Sequence, residues 1–341
     1  FLMAQPVSDR RNFALETLKQ YAPEGYAIVQ AYSSFPEEIT VGNRRVRLPR
    51  TDFAIYLRGS NRLQLLGSLS TVVHEITHGY THRFPQQHGT IDVNAEDPGA
   101  GWNNAQAYLI GDATVEDPIV VTKTEVFRTN AIADQIPVEC HSLRYRTYVA
   151  STEPHLGAQV DGVYGLLDEW HAYYQGVRTT FELYPYYQNE LPGDIATWSA
   201  YYQDFYGSDY AYLEFKYFIL KYLQFARRKY PDIYTGIMQN QAFRKVYRQL
   251  DIQFVNLITA FEERNVEIET SLAKADITMT RDATVLWFYK AGDRNRVGIG
   301  HFRDVYASFE KALQEAELQE IHAALVNDAN STIYETTDKD S

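Results

Sequence analysis

The run from Ser60 to Phe84 constrains the fold more than any other stretch, because it contains no proline and carries two histidines four residues apart. Its apolar residues recur at spacings of three and four, which predicts a long amphipathic helix. Ser60 or Asn61 is expected to cap its start. The predicted apolar stripe consists of Leu63, Leu66, Leu69, Val73, Ile76 and Tyr80.

Residues 74–78 of this helix read HEITH, the pattern H-E-x-x-H. Residues four apart lie on the same face of a helix, so His74 and His78 can direct two imidazole nitrogens at one zinc ion. Glu75 lies beside that face, where it can act as general base and take a proton from water. The motif therefore predicts two zinc ligands and a catalytic carboxylate.

An alternative interpretation of the motif is a surface helix with two solvated histidines. Val72 and Ile76 argue against it, because they place the motif on a buried helix, where a glutamate beside two histidines needs a compensating partner. Gly67, Ser70 and Thr71 precede His74 on the histidine face. These small or short side chains predict that a second element approaches closely there.

Composition limits the classes of function that remain. The chain has 341 residues, with 44 acidic against 32 basic side chains and a net charge of −12, which argues against nucleic-acid binding. No apolar run approaches the roughly 20 residues of a membrane span. The single cysteine, Cys140, excludes an internal disulfide and is predicted to be a small buried hydrophobe. Oligomeric state is left undetermined.

The first five residues, FLMAQ, leave two interpretations open. They fit either the end of a signal peptide cleaved after Ala4 or a cloning remnant. The first interpretation would mean an exported protein, secreted or periplasmic.

The elements around the motif helix predict an α+β fold. A first helix is expected from Ser8 to Tyr21 and ends at Pro23. Strands follow at Ala27–Tyr32, at Glu38–Val41 with Arg44–Leu48 as a hairpin, and at Asp52–Leu57. The last of these strands is predicted to be a cleft edge that pairs with an extended peptide.

The rest of the chain divides into an irregular segment and a helical one. Residues 85–154 are rich in proline and glycine, and short strands are predicted at Ala107–Ile110, Ile119–Lys123 and Leu143–Val149. Four aspartates there favour solvated turns over a calcium site, since they lack the spacing of a recognised loop. They are Asp92, Asp97, Asp112 and Asp117.

From residue 161 onward the periodicity is helical. Helices are expected at 162–180, 198–206, 209–229, 242–251, 254–263 and 302–326, with a short strand at 283–288. The predicted domains are therefore an α+β lobe at 1–160, a helical lobe at 161–326 that supplies the third ligand, and a polar tail at 327–341.

A catalytic zinc site usually needs a third protein ligand. The position that a metzincin-type pattern would fill with histidine is Phe84, so that pattern fails. His82 continues the series from His74 and His78, but a straight helix cannot wrap three such residues around one ion. The third ligand must therefore come from another element.

The segment 165–176 offers the better candidate, Glu169. It lies at the margin of an apolar stripe, where a carboxylate is costly unless it is paired or bound to metal. Ala172, one turn on, leaves room for another helix. His171 is predicted to support local packing, as a lone histidine usually does.

H-E-x-x-H followed by a downstream helix with Glu169-x-x-Ala172 resembles the gluzincin branch of the zinc metallopeptidases. The resemblance implies a zincin-like N-terminal lobe, with His74, His78 and Glu169 as Zn²⁺ ligands and Glu75 as the base. The separation of about 90 residues between the motifs is longer than in many members. An aspartate branch also exists, so Asp168 is the rival ligand, and whichever acid is not the ligand is expected to orient a ligand histidine.

The predicted function is a zinc-dependent hydrolase, a metallopeptidase that cleaves peptide bonds in a peptide or protein substrate. One alternative is a non-catalytic, zinc-stabilised or degenerate-peptidase binding domain. Another is a helical interaction protein whose tyrosine-rich helices at 173–222 form a docking surface without stoichiometric metal. The donor that stabilises the oxyanion stays open among Tyr145, His141, His155, Tyr164 and Tyr173.

Overall fold

Long helices form most of the fold, and three small antiparallel sheets join them in the described part of the chain. The computed structural model describes residues 7–41, 44–88, 104–282, 284–292, 296–301 and 303–327. This mixture fits the predicted α+β class. Residues 1–5, Asp92, Asp97 and the tail from residue 328, for which predictions were made, lie outside the described residues.

The N-terminal elements lead into the motif helix. They are α1 (Arg10–Tyr21), α2 (Pro23–Ser34), the hairpin β1 (Glu38–Val41) and β2 (Arg44–Arg47), a 3-10 helix (Phe53–Tyr56) and α3 (Arg62–Gln87). Asp9 caps α1, and the Asn61 side chain accepts from Gln64 N at the start of α3. The predicted hairpin and motif helix are confirmed, and α3 continues through Pro85.

Two predicted strands in this region are wrong. Ala27–Tyr32 is helical, because Pro23 occupies the first turn of α2, where its missing N–H costs nothing. Asp52–Leu57 forms a 3-10 turn, because the Asp52 side chain accepts from Ala54 N and closes it. The predicted cleft edge for an extended peptide is therefore absent at this segment.

Two of the strands predicted in the irregular segment are present with shifted bounds, β3 (Ala105–Tyr108) and β4 (Ile119–Thr122), and they pair antiparallel. Beyond them lie 3-10 helices at Thr129–Gln135 and Val138–Cys140 and a short α4 (Gly157–Val160). The strand predicted at Leu143–Val149 is wrong. A π-helical turn (Tyr145–Val149) replaces it, begun by Ser142 Oγ, which accepts from Tyr145 N at 3.0 Å.

The C-terminal half is helical, as predicted. Its elements are α5 (Val163–Glu182), α6 (Tyr184–Asn189), α7 (Ile195–Tyr206), α8 (Ala211–Lys229), α9 (Pro231–Gln239), α10 (Gln241–Lys274), the sheet β5 (Ile277–Arg281), β6 (Val285–Lys290) and β7 (Arg296–Gly300), then α11 (Arg303–Ala312) and α12 (Ala316–Val326). The two helices predicted at 242–251 and 254–263 are one, since neither proline nor glycine interrupts 241–274. The helix predicted at 302–326 is two, α11 and α12.

The packing of α3 against α5 is the most extensive helix pair of the structure. A Cβ on Gly176 of α5 would lie 3.1 Å from Ser70 O and 3.4 Å from His74 Cβ, so a larger residue would push the helices apart. The predicted close approach on the histidine face is thus confirmed. One hydrophobic core runs through both halves, and the predicted domain division stays a prediction. No described helix combines the length and apolar character needed to span a membrane.

Candidate metal centre

The α3–α5 interface brings His74, His78 and Glu169 together. The two Nε2 atoms lie 3.3 Å apart, and Glu169 Oε2 lies 3.4 Å from His78 Nε2 and 4.0 Å from His74 Nε2. The three side chains are between 11% and 21% exposed. They are the one group of this kind in the described residues that could hold a metal ion, each offering one ligand atom within 4.8 Å of the others.

Glu169 Oε2 is the least satisfied atom of this group. It is buried and has no hydrogen-bond partner of acceptable geometry in the described structure. Its nearest charged neighbour is His78, whose Nε2 lies 3.4 Å away, and a buried carboxylate oxygen without a well-formed hydrogen bond is costly. A cation placed between this oxygen and the two imidazoles would satisfy all three.

Asp168 forms a hydrogen bond that orients the His78 ring. Its Oδ2 accepts from His78 Nδ1 at 2.8 Å and from His82 Nε2 at 3.2 Å. Burial alone would raise the pKa of Asp168, but the two histidines hold it well below its usual value. Asp168 is therefore an acceptor, which fixes the proton of His78 on Nδ1 and leaves Nε2 to face the site.

The other two histidines of the sequence argument lie apart from the three-residue group. His82 touches Asp168 at the outer end of the cluster and is 34% exposed at its side chain. The His171 ring lies on the opposite side of α5, where its Nε2 accepts from Leu109 N at 3.2 Å. Burial lowers the pKa of His171 to about 4, so it is neutral and supports packing against β3, as predicted.

The two candidate ligand histidines differ in electrostatic environment. Burial and the neighbouring His78 hold the pKa of His74 well below its usual value, although Asp168 opposes them. Burial would also lower the pKa of His78, but Asp168 and Glu169 together raise it well above the usual value. The two carboxylates thus stabilise positive charge at His78, whereas His74 favours the neutral form.

Glu75 is not one of the three grouped residues and lines a cleft that His74 also lines. Burial raises the pKa of Glu75, while His78 lowers it and Glu169 raises it further. A carboxylate with a raised pKa is a stronger proton acceptor near neutral pH.

The cleft has a volume of about 690 Å³ and runs from α3 to the segment 141–148 and the start of α11. Tyr173 forms its floor, with its ring 4.5 Å from that of His74, and its hydroxyl lies 3.2 Å from that of Tyr148. Arg144 packs over the other face of this floor, 4.4 Å from the Tyr173 ring centroid.

Sequence reasoning missed Tyr148 and Arg144. Both lie in or beside the π-helical turn, and the wrong strand prediction there would have sent neighbouring side chains to opposite faces. The signal that was available is Ser142, whose hydroxyl favours a turn at this position.

Two of the five candidate oxyanion donors line the cleft, and the other three do not. Tyr173 and His141 line the cleft. The Tyr145 hydroxyl donates to Ala133 O, and that of Tyr164 lies 2.8 Å from Thr124 Oγ1, so both are engaged elsewhere. His155 does not line the cleft.

Comparison of the chain with models of protein families, with curated proteins and with solved structures finds no match.

Proposed function

We propose that this chain is a gluzincin-like zinc metallopeptidase in which His74, His78 and Glu169 hold the metal. The observation that carries the proposal is the buried Glu169 Oε2, which has no hydrogen-bond partner and faces both imidazole Nε2 atoms. Two imidazole nitrogens and one carboxylate oxygen are a donor set that catalytic zinc sites use. The hydrogen bond from His78 Nδ1 to Asp168 supports it, because ligand histidines are commonly fixed in this way.

Zinc bound by these residues would lower the pKa of water and polarise a substrate carbonyl. The protein's own part begins with Glu75, whose carboxylate accepts a proton from water and delivers it to the leaving amine. Burial raises the pKa of Glu75, which makes its carboxylate a stronger proton acceptor than an exposed one.

The tyrosines of the cleft supply hydrogen-bond donors beside His74. Tyr148 and Tyr173 are hydrogen-bonded to each other through their hydroxyls, so one of the two protons is free to be donated to a third group. Burial, followed by the charge of Glu169, raises the pKa of Tyr148 far above its usual value, so this hydroxyl stays protonated. A protonated phenol near the reacting carbonyl would stabilise the developing oxyanion.

The finer fold assignment, a zincin-like lobe, belongs to the same proposal. It is supported by the α3 helix, by the delivery of Glu169 from a later helix packed on it, and by β3, which lies beside α3. The hairpin β3–β4 would take the place of the sheet that was expected before the motif helix.

The decisive experiment is Glu75→Gln, because it removes the base and leaves the three ligands intact. Turnover of a fluorogenic peptide should fall by about 10² to 10⁴-fold. Elemental analysis should still find one zinc per chain. The matched control is Glu16→Gln, an exposed glutamate of α1 that bonds only Asn12, and it should change neither quantity.

Full turnover in Glu75→Gln would overturn the mechanism. If the wild-type protein and both variants bind zinc but none of them hydrolyses a peptide, the result would favour the alternative of a zinc-stabilised binding domain. A chain that carries no stoichiometric zinc, even after incubation with the metal, would remove both and leave a helical interaction protein.

A further inference from the structure

The charges of the cleft differ in sign from those of the whole chain. The protein carries a net charge of −12, yet Glu75 is the only carboxylate among the described residues that line the cleft. The other fully charged lining residues are Arg144 and Arg146. If Glu75 serves as the base, the charge left for contact with the substrate is therefore positive.

Arg144 is held in one position. Its side chain is 9% exposed, Nη1 donates to Glu214 Oε2 at 2.6 Å, and Nη2 donates to Gly207 O at 2.9 Å. Its Nε is buried and has no partner in the described structure, so one donor of a fixed guanidinium is left unused. An unused buried donor is costly, and a substrate acceptor in the cleft would satisfy it.

Arg146 supplies the unbalanced charge. It is exposed on the cleft wall, its Nε lies 3.4 Å from Ser142 O, and it forms no ion pair with any described residue. Arg144 is neutralised by Glu214, and burial raises the pKa of nearby Asp209 to about 8, so that acid adds little negative charge at pH 7. The net charge of this wall at neutral pH is thus that of Arg146.

We propose that this wall is a carboxylate-binding subsite, in which Arg144 Nε and the Arg146 guanidinium hold a negatively charged group of the peptide substrate. The inference rests on the proposed peptidase function and names its substrate class. Guanidinium groups match carboxylates with paired, charge-assisted hydrogen bonds. Arg144 contacts the Tyr173 ring that contacts the His74 ring, so the subsite lies within about three extended residues of the scissile bond.

Two kinds of carboxylate have this chemistry, the C-terminus of a short peptide and the side chain of Asp or Glu. Three quenched fluorescent peptides of equal length and otherwise identical uncharged sequence distinguish them. The first ends in a free carboxylate, the second in an amide, and the third in an amide with one Glu three residues after the scissile bond. Each is assayed with the zinc-loaded protein and with Arg146→Gln.

We expect at least one acidic peptide to have a KM about tenfold below that of the neutral amide, because a charge-assisted hydrogen bond is made only with the acid. Arg146→Gln should abolish this preference, so that the ratio of the KM of the neutral amide to that of the acidic peptide falls to about one. The free C-terminus as the preferred group would indicate a carboxypeptidase-like specificity, and the Glu side chain an acidic-residue specificity. Arg45→Gln, on the exposed hairpin β2, is the matched control and should retain the preference.

Equal KM values for all three peptides, or a preference that survives Arg146→Gln, would overturn the inference while the proposed function stands. If no peptide is hydrolysed, fluorescence anisotropy measures the binding of the same three peptides to zinc-loaded Glu75→Gln. There, tighter binding of an acidic peptide that Arg146→Gln removes would support the subsite. Equal binding of all three, or no binding, would reject it. Loss of zinc together with loss of turnover would count against the proposed function alone.

Discussion

Two buried helix interfaces of this molecule differ in the chemical type of the side chains that they contain. The α3–α5 interface contains two carboxylates and two imidazoles around one point. Between α7 and α10 the buried contacts are mainly aromatic, among them Phe205 and Phe261, stacked with centroids 3.5 Å apart, and the Tyr206 hydroxyl donates to Glu262 beside them. Aromatic packing gains free energy from removing apolar surface from water, whereas buried ionisable groups cost free energy unless they are paired. The difference indicates that α7–α10 contributes stability and that α3–α5 is retained for another purpose.

The sharpest test of this comparison is Glu169→Ala. Removing the carboxylate should abolish stoichiometric zinc and lower peptide turnover about 10³-fold or more, because two imidazoles alone hold zinc weakly. Elemental analysis and a fluorogenic assay measure the two effects. Glu182→Ala on the same helix, which breaks only a pair with Arg178, should keep the zinc. Retention of one tightly bound zinc in Glu169→Ala would show that the third ligand lies elsewhere.

Phe261→Ala tests the other interface. Deleting this fully buried ring should lower the free energy of unfolding by about 3–5 kcal/mol, while the folded fraction keeps its zinc affinity. Urea denaturation and metal titration measure the two quantities, and Phe261→Leu should show less than half of the loss. A large fall in zinc affinity of the folded variant would contradict the separation of roles.

Asp168→Asn should weaken zinc binding about 10 to 100-fold, because an amide orients His78 less firmly than a carboxylate and no longer strengthens it as a donor. Competition with a zinc-sensitive dye measures the affinity. The comparison is His82→Ala, which removes the second partner of the same Asp168 oxygen and should change the affinity by about threefold or less. A larger effect for His82→Ala than for Asp168→Asn would assign His82 a direct part in binding.

Asp209→Asn tests the pH dependence of stability. Burial raises the pKa of Asp209 to about 8 from a usual value near 4. The folded state then binds a proton that the unfolded state releases above pH 4, so stability falls as pH rises from about 4 to 8 and then levels off. The variant should have a flatter Tm profile between pH 5 and 8 than the wild-type protein, as measured by calorimetry. Parallel profiles would contradict a buried neutral Asp209.

The strands and turns show where local patterns were insufficient. The segment Ala27–Tyr32 has a strand-like composition, yet Pro23 begins a helix that packs on α3, and a Cβ on Gly25 would lie 3.0 Å from Val73 Cγ2. Tertiary packing of an apolar face decides such short segments, and it outweighs propensity. Leu143–Val149 differs, because there a local hydrogen bond from Tyr145 N to Ser142 Oγ accompanies a helical turn in place of the predicted strand.

What the sequence determined by itself is the α3 helix and the pairing of His74 with His78, because a spacing of four is a local property of helical geometry. It also limited the third ligand to Glu169 or Asp168. Only the tertiary structure shows that Glu169 Oε2 lies near the Nε2 atoms of both imidazoles and that Asp168 Oδ2 binds His78 Nδ1, because these contacts depend on how α5 docks against α3. The cleft wall with Arg144 and Arg146 was likewise decided by packing, because it joins segments that are about 70 residues apart in the chain.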